Sequence, residues 1–205
     1  MDSIDAGRVR NGVYGNKTLG FTCKIPAGWV LRTEEMNARD EGSTPGVNDG
    51  PSAAEKQSPQ RPQGDTGKST SGRVLLAAFS RPPEARGEEV NASIVIAAEP
   101  VTTYPGLKEA AQYFGPLTEV ATGQGFSVDE EPYEIAIGAK TLVRGDFHRD
   151  VGTRVMRQST LVMLVHGYAV SFTVIAGTED EVEELIDGLD FAGGKPAAKA
   201  SGKTP

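Results

Sequence analysis

The chain predicts an α+β fold, an antiparallel β-sheet flanked by helices, and three observations carry that prediction. Apolar and polar residues alternate with a period of two over residues 19–25 and again through much of 133–176. Glycine-containing turns divide the later strands, and connections that short permit only antiparallel neighbours. Residues 178–189 then read as a capped helix with one apolar face.

In the first strand Leu19, Phe21, Cys23 and Ile25 share one side while Gly20, Thr22 and Lys24 take the other. One face is therefore buried. Pro26 has no N–H to donate and ends the ladder, and Gly28 lets the chain turn so that Trp29, the single tryptophan, folds back over the sheet as a core plug. Residues 37–72 contain Val47 as their only aliphatic residue larger than alanine. Such a segment cannot offset the entropy of ordering, so a disordered insertion is expected there. Residues 192–205 have the same character and are expected as a disordered tail. With 1–13 as a flexible lead-in, a single α/β domain is expected over 14–191, its foldable part about 150 residues and large enough for a core.

Residues 73–80 and 92–98 are rich in Val, Ile and Ala and read as two strands. Tyr104, Pro105 and Gly106 open a helix, and Leu107, Ala110, Ala111 and Phe114 follow at helical spacing. Pro116 predicts a kink or restart, with a second piece over 117–122 ending at Gly123. Strands follow at 131–138, 140–149, 154–165 and 168–176. Thr178 is the N-cap of the last helix, Glu181 reaches back to complete a capping box, and Val182, Leu185, Ile186 and Leu189 line its apolar face.

The run of Asn16, Gly20-Phe21 and Pro26-Ala27-Gly28-Trp29, continued by Val30-Leu31, resembles the opening of the PsbP-like family. That family takes its name from an extrinsic subunit of photosystem II and includes a Ran-binding nuclear import factor and bacterial envelope lipoproteins. The far end matches as well: residues 167–172 lead through Thr178 into an acidic helix and then Leu189-Asp190-Phe191. The resemblance implies an α/β/α sandwich on an antiparallel sheet, in a family whose members mostly act by binding or assembly.

A net charge of −7 opposes a general role on nucleic acids or anionic membranes, since polyanion binding needs a clustered basic surface. The lone cysteine cannot form an internal disulfide, and Cys23 on the apolar strand face reads as an inert core thiol. No window approaches the ~18 apolar residues of a membrane helix, and residues 1–3 begin neither a signal peptide nor a lipobox. The expectation is a soluble chain. An exported origin would make it periplasmic or envelope-associated, with residues 1–13 as the stub of a lipid tether; otherwise it is cytoplasmic.

Gly64-Asp65-Thr66-Gly67-Lys68-Ser69 looks like the end of a phosphate-binding loop, but Pro62 stands where glycine is needed and no strand or helix flanks it. Arg144, Asp146 and His148 alternate on one strand face, with Arg154 and Arg157 across the turn, and form a candidate binding patch. A carboxylate beside a histidine can orient a general base, yet the sequence implies no nucleophile nearby. The plainer reading is an exposed face with cross-strand ion pairs such as Asp146 with Arg157. His148 and His166 are the only histidines, too few for a zinc or copper site, and His166 falls in a hairpin turn. Acidic residues 179–184 complement a helix N-terminus and lack the spacing of a calcium loop. No cofactor is expected. The leading functional expectation is a non-catalytic module that binds an unknown protein partner or serves assembly. The alternative is a small-molecule or lipid carrier with a pocket between helix and sheet lined by Trp29, Tyr104, Tyr113 and Phe114.

Overall fold

The structure is a computed structural model that describes residues 4–41, 72–85, 87 and 89–191, the side chains of 39–41 excepted. Four short elements come first: β1 (Arg8–Arg10), β2 (Val13–Asn16), β3 (Phe21–Lys24) and β4 (Val30–Leu31). Helix α1 (Thr33–Glu41) precedes β5 (Arg73–Phe79) and β6 (Ser93–Pro100). Two 3₁₀ turns, Val101–Thr103 and Ala110–Tyr113, lead into α2 (Phe114–Gly123). Then come β7 (Ser127–Val128), β8 (Tyr133–Ile137), β9 (Lys140–Val151), β10 (Arg154–Val165), β11 (Tyr168–Ala176), α3 (Glu179–Asp187) and β12 (Leu189–Phe191).

All strand pairs are antiparallel. An eight-stranded sheet runs β4-β5-β6-β11-β10-β9-β7, with β8 also on β9, and a four-stranded sheet runs β1-β2-β3-β12. Side-chain alternation splits the long strands between two cores. Leu142, Leu161, Val170 and Phe172 join the small sheet and α3 on one face, while Val143, Val162 and Ala169 join Tyr113, Phe114 and Phe126 on the other. The result is a layered α+β sandwich. Phe21 of the small sheet meets Phe172 edge-on at 4.8 Å between ring centroids, which joins the layers. Trp29 is half-buried against this core, and the Cys23 thiol is fully buried, its pKa pushed up to about 12 by burial.

Where the sequence suggests a flexible lead-in over 1–13, the structure places β1 in the small sheet and buries Ile4. Asn11 and Gly12 take φ of 51° and 73° between the facing Arg10 and Val13. These are the angles of a two-residue hairpin turn, which Asn-Gly favours because both residues tolerate positive φ. Residues 1–3 and 192–205 lie outside the described residues.

Part of the expected insertion at 37–72 is helical instead. Asn37 sits in α1, and its side chain makes the contacts of a neighbouring strand: Val74 N donates to Oδ1 at 2.9 Å and Nδ2 donates to the Val74 carbonyl at 2.9 Å. Thr33 Oγ1 accepts from Ala77 N at 2.9 Å, and Arg32 N donates to the Ala77 carbonyl at 2.8 Å. A polar helix thus covers the open edge of β5, which would otherwise offer unpaired backbone groups. Residues 42–71, including the Gly64–Ser69 run, lie outside the described residues.

The break expected at Pro116 falls two residues earlier. The chain passes from the 3₁₀ turn into α2 at Phe114, which leaves Pro116 in the first helical turn, where its missing N–H has no intrahelical bond to make. The capping box of α3 is present, with Glu181 N donating to Thr178 Oγ1 at 3.2 Å and Thr178 N donating to Glu181 Oε2 at 3.1 Å.

Candidate functional site

Asp146 is the centre of the polar cluster on β9. Its Oδ1 accepts from Arg144 Nε at 2.9 Å and from the Ser159 hydroxyl, and its Oδ2 accepts from the Tyr133 hydroxyl at 2.8 Å. Arg144 also reaches Glu183 of α3 at 2.6 Å. Burial opposes the Arg144 charge, but the Glu183 and Asp146 carboxylates outweigh it and raise the guanidinium above its ordinary pKa. Burial, then the hydrogen bond to Asp146, raises the Tyr133 phenol likewise. The carboxylate is consumed by three donors, and the buried Ser159 is tied to it. This arrangement clamps α3 and the edge strand β8 to β9.

The Asp146–Arg157 pair expected from the sequence does not form. Register sets Ser159 opposite Asp146 and Arg157 opposite His148. Arg154 faces Val151 at the hairpin end and, three residues from Arg157, lies on the other sheet face. His148 contacts Asp129 through Nδ1 rather than Asp146. Ser127 is opposite His148 in the β7–β9 register, but among the described residues its hydroxyl makes no hydrogen bond to the ring. The sequence reading missed Asp129 because the β8 strand and its turn separate it from β9, and only the pairing of β7 with β9 brings it back. His166 occupies the β10–β11 turn at φ 50°.

The four aromatic residues expected to line one pocket are divided between the two cores. Tyr113 and Phe114 are buried under the large sheet, with Tyr104 edge-on to Tyr113 at 5.1 Å, whereas Trp29 packs on the opposite face. Tyr104 donates to Glu99, and burial, followed by the Glu99 charge, raises the Tyr113 phenol. These rings fill space and do not enclose a shared cavity.

An open groove of about 680 Å³ lies instead on the outer face of the small sheet. Arg8, Arg10, Val13, Gly15, Lys17 and Asp190 contribute to its walls and floor. Its geometry follows from pairing: Arg8, Gly15, Thr22 and Asp190 form one row across the four strands, and Arg10, Val13 and Lys24 form the next. The opposite faces of these strands carry the buried Tyr14, Asn16, Phe21 and Cys23. Gly15 keeps the floor flat. Among the described residues no hydrogen bond or ion pair engages the side chains of Arg8, Arg10 or Lys17. Asp190 stands three strands from Arg8, roughly 14 Å at the usual strand spacing, too far to neutralise it.

Among the described residues no group of His, Cys, Asp and Glu could hold a metal ion, and no helix is long and apolar enough to cross a membrane. No family model and no curated protein sequence matches the chain. Solved structures to which it is similar include the Ran-binding protein Mog1p of Saccharomyces cerevisiae, at 10% identity and TM-score 0.42 over 84% of this chain and 90% of that one. The envelope-biogenesis protein LpqN of Mycobacterium tuberculosis is similar at 13% identity and TM-score 0.35, over 82% of this chain and 76% of its own. A Pseudomonas aeruginosa protein of unknown function, PA94, is similar at 17% identity and TM-score 0.38, over 60% of this chain and 84% of that one. The antiparallel sheet with helices on it is the fold which the PsbP-like resemblance implies.

Proposed function

We propose that this chain works by binding a partner protein, without catalysis of its own. The observation that carries the reading is the open outer face of the small sheet, where Arg8, Arg10 and Lys17 stand without partners among the described residues. The titratable cluster around Asp146 speaks for the same reading, because its groups spend their hydrogen-bonding capacity on each other. Exposed arginines on a sheet face suit recognition of another chain, because arginine is enriched at protein interfaces and complementary charge steers association. Affinity capture from the source cells, quantified against an unrelated bait of equal charge, tests the proposal. One or more partners enriched in every replicate is the expected result, and recovery of none removes the reading.

A further inference from the structure

We infer that the groove on the outer face of the small sheet docks an extended, carboxylate-rich segment of the partner protein, with alternate acidic side chains against Arg8 and Arg10. The inference rests on the binding role proposed above. Arg8 and Arg10 are two positions apart on β1, so their side chains leave the same face about 7 Å apart. Carboxylates at positions i and i+2 of an extended chain have the same spacing, whereas those on a helix face recur at i+3 and i+4. Gly15, directly opposite Arg8, leaves room for the incoming backbone, and a Cβ there would meet only Thr22 Cγ2 at 3.7 Å. The exposed Val13, opposite Arg10, supplies an apolar contact between the charges. Lys24 adds positive charge at the end of the second row, and Lys17, just past β2, adds it at the groove wall.

Charge also narrows the occupant. The chain's own residues 192–205 carry Lys195, Lys199 and Lys203 and no acidic residue, so they would be repelled. Asp5, the other acid at the groove, already accepts from Gly7 N at 3.2 Å. The chain has a net charge of −7, and these cations are gathered on one small face, which favours a local acidic segment over a long polyanion.

The probe is an acetylated, amidated Glu-Thr-Glu-Val-Glu-Thr peptide, titrated into the ¹⁵N-labelled full chain. Amide shifts confined to residues 8–17, Thr22 and Asp190 are expected, with affinity weakened about tenfold by the Arg8→Glu/Arg10→Glu pair and unchanged by Arg154→Glu. Both altered arginines are exposed, so the fold is retained, which the unshifted amides of β10 and β11 will verify. Equal binding by the charge-reversed pair, shifts centred elsewhere, or a thymidine hexanucleotide binding as tightly as the peptide would overturn the inference. Self-association in sedimentation that the same pair abolishes would assign the groove to a second copy and overturn it too. A captured partner retained by Arg8→Glu/Arg10→Glu sinks this site but leaves the binding role standing, while absence of any captured partner removes the role itself.

Discussion

Asn16 Nδ2 donates to the Asp5 carbonyl at 2.8 Å and so fastens the start of the chain to the small sheet. The same amide accepts from Leu19 N at 2.9 Å, and Tyr14 beside it donates to the Ala6 carbonyl at 2.9 Å. A buried asparagine whose Nδ2 donates to the Asp5 carbonyl and to the Tyr14 hydroxyl, and whose Oδ1 accepts from Leu19 N, fixes β1 in place, and with it the arginines of the groove.

Asn16→Ala removes these bonds and leaves the Leu19 N–H without its partner. A loss of about 1–3 kcal/mol is expected, read as a lower urea midpoint with the denaturant slope unchanged. Hydrogen exchange at Leu19 should accelerate as well. An unaltered midpoint would mean that Asn16 does not anchor β1.

Asp146→Ala strips the acceptor from Arg144, Tyr133 and Ser159 together. Arg144 is 11% exposed and keeps only Glu183, so about 2–4 kcal/mol of destabilisation is expected. Tyr133→Phe deletes a single donor and should cost about 1 kcal/mol. Near-equal losses for the two variants in chemical denaturation would contradict a shared hub at Asp146.

Gly145→Ala tests the contact between β9 and α2. A Cβ at Gly145 would lie 2.5 Å from Phe114 Cε1, too close for any side chain, so the ring must move out of its place in the core. The expected cost is about 1–3 kcal/mol. Adding Phe114→Leu should recover part of it, and strict additivity of the two changes would show that ring and glycine do not touch.

Cys23 gives a pH prediction. Burial raises the thiol from 9.0 to about 12 in the folded chain, so the native state keeps a proton that the unfolded state loses. Stability from this group is complete below about pH 9 and declines as pH climbs toward 12. Tyr14, Tyr113 and Tyr133 are raised too, chiefly by burial, and act with the same sign. Cys23→Ala should therefore flatten the fall in unfolding free energy over this window without abolishing it. Identical slopes for the two proteins would refute the assignment. The native thiol should also resist aromatic disulfide reagents at pH 8 and react on unfolding.

Much of the fold was legible because it rests on local signals. The alternation at Leu19, Phe21, Cys23 and Ile25, the glycine turns between β9, β10 and β11, and the Thr178–Glu181 box each act over a few residues. The groove carried a local signal as well, the Asn11-Gly12 turn between Arg10 and Val13, which a polar start to the chain obscured. Composition misplaced Asn37, since a polar helix with no apolar face gains its stability by capping a strand 37 residues further on. Nothing near His148 in sequence announced Asp129, and the register at Ser159 overrode the expected partner of Asp146.

Acting alone, the sequence determined the strand around Phe21 and Cys23, the two after residue 72 and the four between 131 and 176, where α3 starts, and that a lone cysteine stays inside. Only the tertiary structure decided that two sheets rather than one form, that the aromatic residues divide between opposite cores, and that Arg8 and Arg10 share a face with Gly15. The division has a physical cause. Periodicity and turn chemistry act between neighbours in the chain, whereas strand pairing and charge juxtaposition are set by which distant apolar faces bury each other.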